Sequence, residues 1–135
     1  MPIFGTESQR QLATCDARLQ RVLREAIQYF DFSVLEGHRG QAAQEAAYRT
    51  GASKVHWPYG NHNTTPSRAA DCAPYPLDWS SKTTAIARFA FMHGVIWVCA
   101  RRQGVRVRFG FDWNRNLDPR DETFLDWGHV ELDEP

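Results

Sequence analysis

Between residues 12 and 30 the apolar positions Leu12, Cys15, Leu19, Val22, Leu23, Ala26, Ile27 and Phe30 recur at steps of three and four. That spacing lines one face of a helix turning every ~3.6 residues. Ser8 can cap it, so one helix from about Ser8 to Phe30 is expected. "DFSVLEG", with Phe32, Val34 and Leu35 apolar, reads as a short strand. "QAAQEAAYRTG" is Ala-rich and ends in Gly51, a helix with a C-terminal glycine.

Residues 52–68 hold Pro58, Gly60 and Pro66 and read as a long loop, a common place for function in a compact domain. "AADCAPY" reads as a strand ended by Pro74 and Pro76. Ser80 or Ser81 can cap a second long helix that stops near Gly104. "VRVRFGF" alternates apolar and basic residues, the period of a half-exposed strand, and "WGHVEL" closes the chain as a last strand. Strands and helices in this irregular order favour an α+β domain, with helices packed against a small, mostly antiparallel sheet. At 135 residues, the span 1–135 is expected to form a single domain.

Sixteen basic residues balance sixteen acidic ones, so charge gives no reason to expect a nucleic-acid or anionic-membrane partner. The most apolar stretch, Phe89 to Ala100, is interrupted by His93 and Gly94 and falls short of the ~20 residues of a membrane span. MPIFGTESQRQ lacks the basic start and apolar run of a secretory signal. A soluble chain made in the cytoplasm is expected; a target outside the membrane would then require release by another factor. Cys15, Cys72 and Cys99 are far apart with no CxxC pair, which fits buried free thiols rather than a disulfide framework or a Cys-rich zinc module.

Three residues sit where loops meet strands and are costly there: His62, Asp71 and His129. Histidine nitrogens and a carboxylate oxygen are good zinc ligands, and three protein ligands leave a fourth tetrahedral position open, as in catalytic sites. A cation would also turn Asp71, set among Ala70, Cys72 and Ala73, from an expensive buried acid into a coordinated one. Spacing alone leaves another reading open: a solvated His62, a turn-capping Asp71 and an exposed His129. In "FLDWGHVEL", Asp126 precedes His129 by three residues, where a carboxylate beside the ligands but not among them could serve as general base.

"GNHNTTPSRAADCAPYPLDW" together with "DWGHVEL" resembles the M15 zinc peptidases, most of all the phage endolysins that act as L-alanyl-D-glutamate peptidases. The resemblance runs from about Phe32 to Leu132 and implies a Hedgehog/DD-peptidase-like fold. It implies that His62, Asp71 and His129 hold Zn2+ and that Asp126 is the catalytic base. Arg39, in "EGHRG", matches an arginine that steadies the polarised carbonyl. The implied substrate is the stem peptide of bacterial peptidoglycan, cleaved after release from the host cytoplasm by a single catalytic domain, expected to be a monomer. Two alternatives stay open: a D-Ala-D-Ala carboxypeptidase of the same fold, or a non-catalytic relative that binds zinc or wall peptide. Gly60 replaces the family's serine two residues before the first histidine, so a hydrogen bond around that ligand is expected to be missing. The loop from His62 to Asp71 is also longer than the family's usual link.

Other polar clusters carry less. "DWNRNLD", Asp112 to Asp118, spaces oxygen ligands like the start of a calcium loop. It has Leu117 where such loops need glycine and Thr123 where they need glutamate, so a solvated loop is expected. His38 and His56 have no assignable partner, and His93, on an apolar helix, reads as a core or groove histidine. Arg101, Arg102, Arg106 and Arg108 read as an ordinary charged face.

Overall fold

A computed structural model describes residues 1–135. Its four strands, β1 (Phe32–Glu36), β2 (Ala69–Pro74), β3 (Val107–Phe109) and β4 (His129–Leu132), form one sheet in the order β1-β2-β4-β3. Every neighbouring pair is antiparallel. The expected α+β architecture is therefore present. β3 is shorter than the alternation of "VRVRFGF" implies, three residues long.

The N-terminal apolar stripe builds two helices rather than one: α1 (Thr6–Leu12) and α2 (Ala17–Ala26). Backbone pairing breaks the expected helix. The Asp16 N–H donates to the Ser67 carbonyl at 2.8 Å, and the Ser67 N–H to the Thr14 carbonyl at 2.9 Å. The Asp16 carboxylate then caps α2 by accepting from the Arg18 N–H at 2.9 Å. Ser8 is not a cap. It lies within α1 and accepts from the Val34 N–H at 3.0 Å, tying that helix to β1.

α3 (Gln41–Thr50) ends as expected at Gly51, whose φ of 81° is the left-handed conformation that glycine adopts at least cost. α4 (Thr83–Arg102) begins after the serines, with Lys82 at its N-cap position. At 20 residues it is longer than the stretch from Phe89 to Ala100, and by length and composition alone it could cross a membrane. In the fold it packs on α2 and on β2 and β3. Leu19, Leu23, Met92, Ile96 and Val130 are all fully buried between these layers, each contributing ~1.5–3 kcal/mol by leaving water. The three cysteines are free and buried, as expected.

The sheet has one helix-covered face and one that carries chemistry. On β4, Val130 and Leu132 point into the core. Strand alternation sends His129 and Glu131 to the opposite face. Across the β2–β4 ladder His129 is the register partner of Asp71, and across the β1–β2 ladder Asp71 is that of Glu36.

Candidate functional site

His62 reaches this polar face from a short 3-10 turn, Asn61–Asn63, in the long loop. The turn is fixed on two sides. The Arg39 N–H donates to the His62 carbonyl at 2.8 Å. The Asn63 amide nitrogen donates to the Arg39 carbonyl and to Gln44 Oε1, each at 3.0 Å. His62 Nε2 then lies 3.2 Å from Asp71 Oδ1 and 3.3 Å from His129 Nδ1, and the latter is 3.4 Å from Asp71 Oδ1. The three residues singled out by sequence thus converge on one point.

The outer contacts of the two histidines decide what those atoms are. His62 Nδ1 is 2.7 Å from the Gly37 carbonyl, which can only accept, so Nδ1 carries the hydrogen and Nε2 presents a lone pair. His129 Nε2 is 2.8 Å from Glu131 Oε1, so its hydrogen also points away and Nδ1 faces inward. Two lone pairs and a carboxylate oxygen facing one another at ~3.3 Å repel unless a proton or cation lies between them. Tetrahedral zinc with ligands at ~2.0 Å requires donor separations of ~3.3 Å. The donor set and its spacing fit zinc.

The charges around this point have the same logic. Burial works to raise the Asp71 pKa, but the neighbouring His129 and His62 imidazoles outweigh it and hold the carboxyl well below the usual range. Burial works against charge on His129, yet Asp71 and Glu131 raise it to about 9. Glu131, opposed by burial but paired with His129 and Arg108, is lowered to about 2. Without metal the site therefore holds a proton on His129, which ligation through Nδ1 must displace.

Glu131 is the residue that sequence reasoning missed. Besides His129 it accepts from Arg108 Nη2 at 2.7 Å and from the Asn61 amide at 2.9 Å. It ties His129, the loop of the other histidine and β3 into one network. The available signal was its position two residues after His129 on a strand, which puts both on one face. The hydrogen bond expected to be missing at Gly60 is replaced. Its N–H donates to Asn63 Oδ1 at 2.9 Å, and the His62 ring is oriented by Gly37 instead. Gly37 must be glycine, since a Cβ there would meet the Gln11 carbonyl oxygen at 2.5 Å.

Asp126 lies in the turn before β4, with its N–H on the Gly110 carbonyl at 2.7 Å. No side chain pairs with its carboxylate. Burial first, and then the charge of Asp71, raise its pKa. The turn is also held from α4, where His93 Nε2 lies 2.6 Å from the Trp127 carbonyl. Burial lowers the His93 pKa to about 4, so the ring is neutral and donates through that nitrogen. This is the core position expected for it. Asp126, His62 and His129 share a cleft of about 460 Å3 with Arg39, Trp113 and Phe124. Arg39 is largely enclosed: its guanidinium bonds Glu36 at 2.7 Å, Gln44 at 3.2 Å and Asp71 Oδ2 at 3.1 Å. It fixes the Asp71 carboxylate while keeping a positive charge in the cleft wall.

Of the remaining polar clusters, only Arg108 reaches the site. Asp112 is buried and accepts from the Asn116 and Leu117 N–H groups at 3.0 and 3.1 Å, closing its own loop. His56 pairs with Glu45 at 3.0 Å. Of the four arginines read as a charged face, Arg102 pairs with Glu25 and Arg108 turns inward to Glu131.

The chain is similar to known peptidases. The curated L-alanyl-D-glutamate peptidase of Escherichia phage T5 is 33% identical over 137 residues, covering 96% of each chain. The crystal structure of the Serratia marcescens L-Ala D-Glu endopeptidase ChiX superposes with a TM-score of 0.75 at 26% identity, covering 96% of this chain and 90% of that one. Residues 2–133 match the family described as phage L-alanyl-D-glutamate peptidase, and the chain belongs to that family.

Proposed function

We propose that this protein is a zinc-dependent peptidase that hydrolyses the L-alanyl-D-glutamate bond in the stem peptide of bacterial peptidoglycan, as a phage-type endolysin. The observation that carries the reading is the convergence of His62 Nε2, Asp71 Oδ1 and His129 Nδ1 at tetrahedral ligand spacing, in the cleft that also holds Asp126. Residues 1–135 act as one catalytic unit, as a monomer, on the wall after release from the host cytoplasm.

In this reading His62, Asp71 and His129 hold the ion. Zinc bound there supplies Lewis acidity toward a carbonyl and acidifies water. Asp126, with its raised pKa and no competing side chain, takes a proton from the attacking water as the oxygen bonds to the alanyl carbonyl carbon. It then delivers that proton to the glutamyl nitrogen as the C–N bond breaks. Arg39 keeps a fixed positive charge in the wall toward the oxygen on which negative charge develops. Gly37 and Glu131 hold the two imidazoles in the tautomers that ligation requires.

Digestion of purified peptidoglycan, with identification of the new termini, tests this reading. A free L-alanine carboxyl paired with a D-glutamate amine is the expected product. Release of D-alanine instead would mark a D-Ala-D-Ala carboxypeptidase, and no product at all a non-catalytic binder.

A further inference from the structure

Three cationic side chains line the cleft: Arg39, Lys54 and Arg108. Two are already committed. Arg39 is paired with Glu36 at 2.6 Å and Asp71 at 3.1 Å, and Arg108 with Glu131 at 2.7 Å. Lys54 forms no ion pair. Its ammonium lies 5.3 Å from the centre of the Phe124 ring, on the exposed stretch between α3 and the loop that carries His62. Phe124 stacks on Trp113 at 6.1 Å, and Trp113 lies 5.3 Å from the His129 ring. A wall of two aromatic rings therefore runs from the ligand His129 to an uncommitted ammonium.

We infer that Lys54 is the carboxylate-binding residue of the substrate site, reading an anionic group of the peptide on the amine side of the scissile bond. The assignment rests on the proposed L-alanyl-D-glutamate reading. In such a substrate the acyl side offers only an alanine methyl. All free carboxylates lie beyond the scissile nitrogen: the glutamate carboxyl not used to continue the chain, and any on the following residues. An anion seated there finds one unpaired cation, while Asp126 and Glu131 repel it from the rest of the cleft. The aromatic wall gives the intervening peptide an apolar surface and holds the lysine stem beside Phe124.

The test compares wild type, Lys54→Met and Lys54→Arg on three synthetic N-acyl-L-alanyl-D-glutamyl peptides. One is unmodified, one has the free glutamate carboxyl amidated, and one has the carboxyls of the next residue amidated. Lys54 is exposed and unpaired, so these variants are expected to fold as wild type does. Lys54→Met should lose about five- to tenfold in kcat/KM on the unmodified peptide, mostly through KM, and Lys54→Arg should retain most of it. Wild type should lose a similar factor on one amidated peptide, to which Lys54→Met is indifferent, and that peptide identifies the carboxylate. Equal discrimination by wild type and Lys54→Met on both amidated peptides would overturn the assignment. A wild-type protein that cleaves none of the three would overturn the peptidase reading, and this assignment with it.

Discussion

His129 on β4 stands directly across the ladder from Asp71 on β2, with Nδ1 3.4 Å from Oδ1. Sheet register rather than loop folding sets this pair, and the loop's only task is to bring His62 onto it. Two residues on adjacent central strands cannot drift apart without breaking the sheet. As the proposed zinc ligands they would form a pre-organised site.

Substituting any one of the three ligands should remove the metal. His62→Ala, Asp71→Ala and His129→Ala are each expected to purify without stoichiometric zinc and without wall hydrolysis. Metal analysis beside far-UV circular dichroism separates this outcome from unfolding.

Asp126→Asn should behave differently, because Asp126 lines the cleft but is not one of the converging donors. The variant is expected to keep its zinc and lose about 10²- to 10⁴-fold in kcat, the usual scale for removal of a general base. A variant that retained wild-type kcat would remove Asp126 from the proton-transfer role.

Glu131→Gln leaves the ligand set intact but weakens the acceptor for His129 Nε2 and the partner of Arg108. Zinc affinity measured by chelator competition should fall about 10- to 100-fold, the range seen when groups that orient ligands are changed.

The metal-free protein should show two opposite pH dependences. His129 has its folded pKa raised to about 9. Its contribution to stability is full below the unfolded value of ~6.5 and is lost as pH rises through about 9. Glu131 is lowered to about 2, so its contribution is present above the unfolded value of ~4.3 and is lost as pH falls through about 2. Because zinc must displace the His129 proton, apparent zinc affinity should rise up to about tenfold per pH unit below 9. Thermal melts of the metal-free protein and zinc titrations at several pH values check both statements.

Gly110→Ala tests the packing that positions the base. A Cβ at Gly110 would lie 2.3 Å from the Asp126 carbonyl oxygen and 2.8 Å from His129 Cβ. The turn must shift, with an expected cost of ~1–3 kcal/mol in stability and a loss of activity larger than the fall in melting temperature explains.

Much of this fold was legible in the sequence where a local pattern decides it. Short apolar runs and the prolines that end them located β1 and β2, alternation located β3, "WGHVEL" located β4, and Gly51 marked the end of α3. The break between α1 and α2 was not legible. The apolar period runs through Cys15 without interruption, and the cause is a long-range pairing of Thr14 and Asp16 with Ser67. His62, Asp71 and His129 were candidates by chemistry but became a set only through the resemblance of the motifs around them, because spacing does not reveal that Asp71 and His129 share a register. Glu131 was passed over, although the strand alternation that puts Val130 and Leu132 in the core places it beside His129. Lys54 carries no sequence signal at all. Its isolation is visible only once Arg39 and Arg108 are seen to be paired.

The most direct test of the central claim is one zinc titration of the chelated protein, followed by wall hydrolysis at each step. Activity should be absent without metal and should rise linearly to a plateau at one zinc per chain, with His129→Ala flat throughout. Full hydrolysis by the metal-free chain, or a plateau unrelated to the triad, would contradict it.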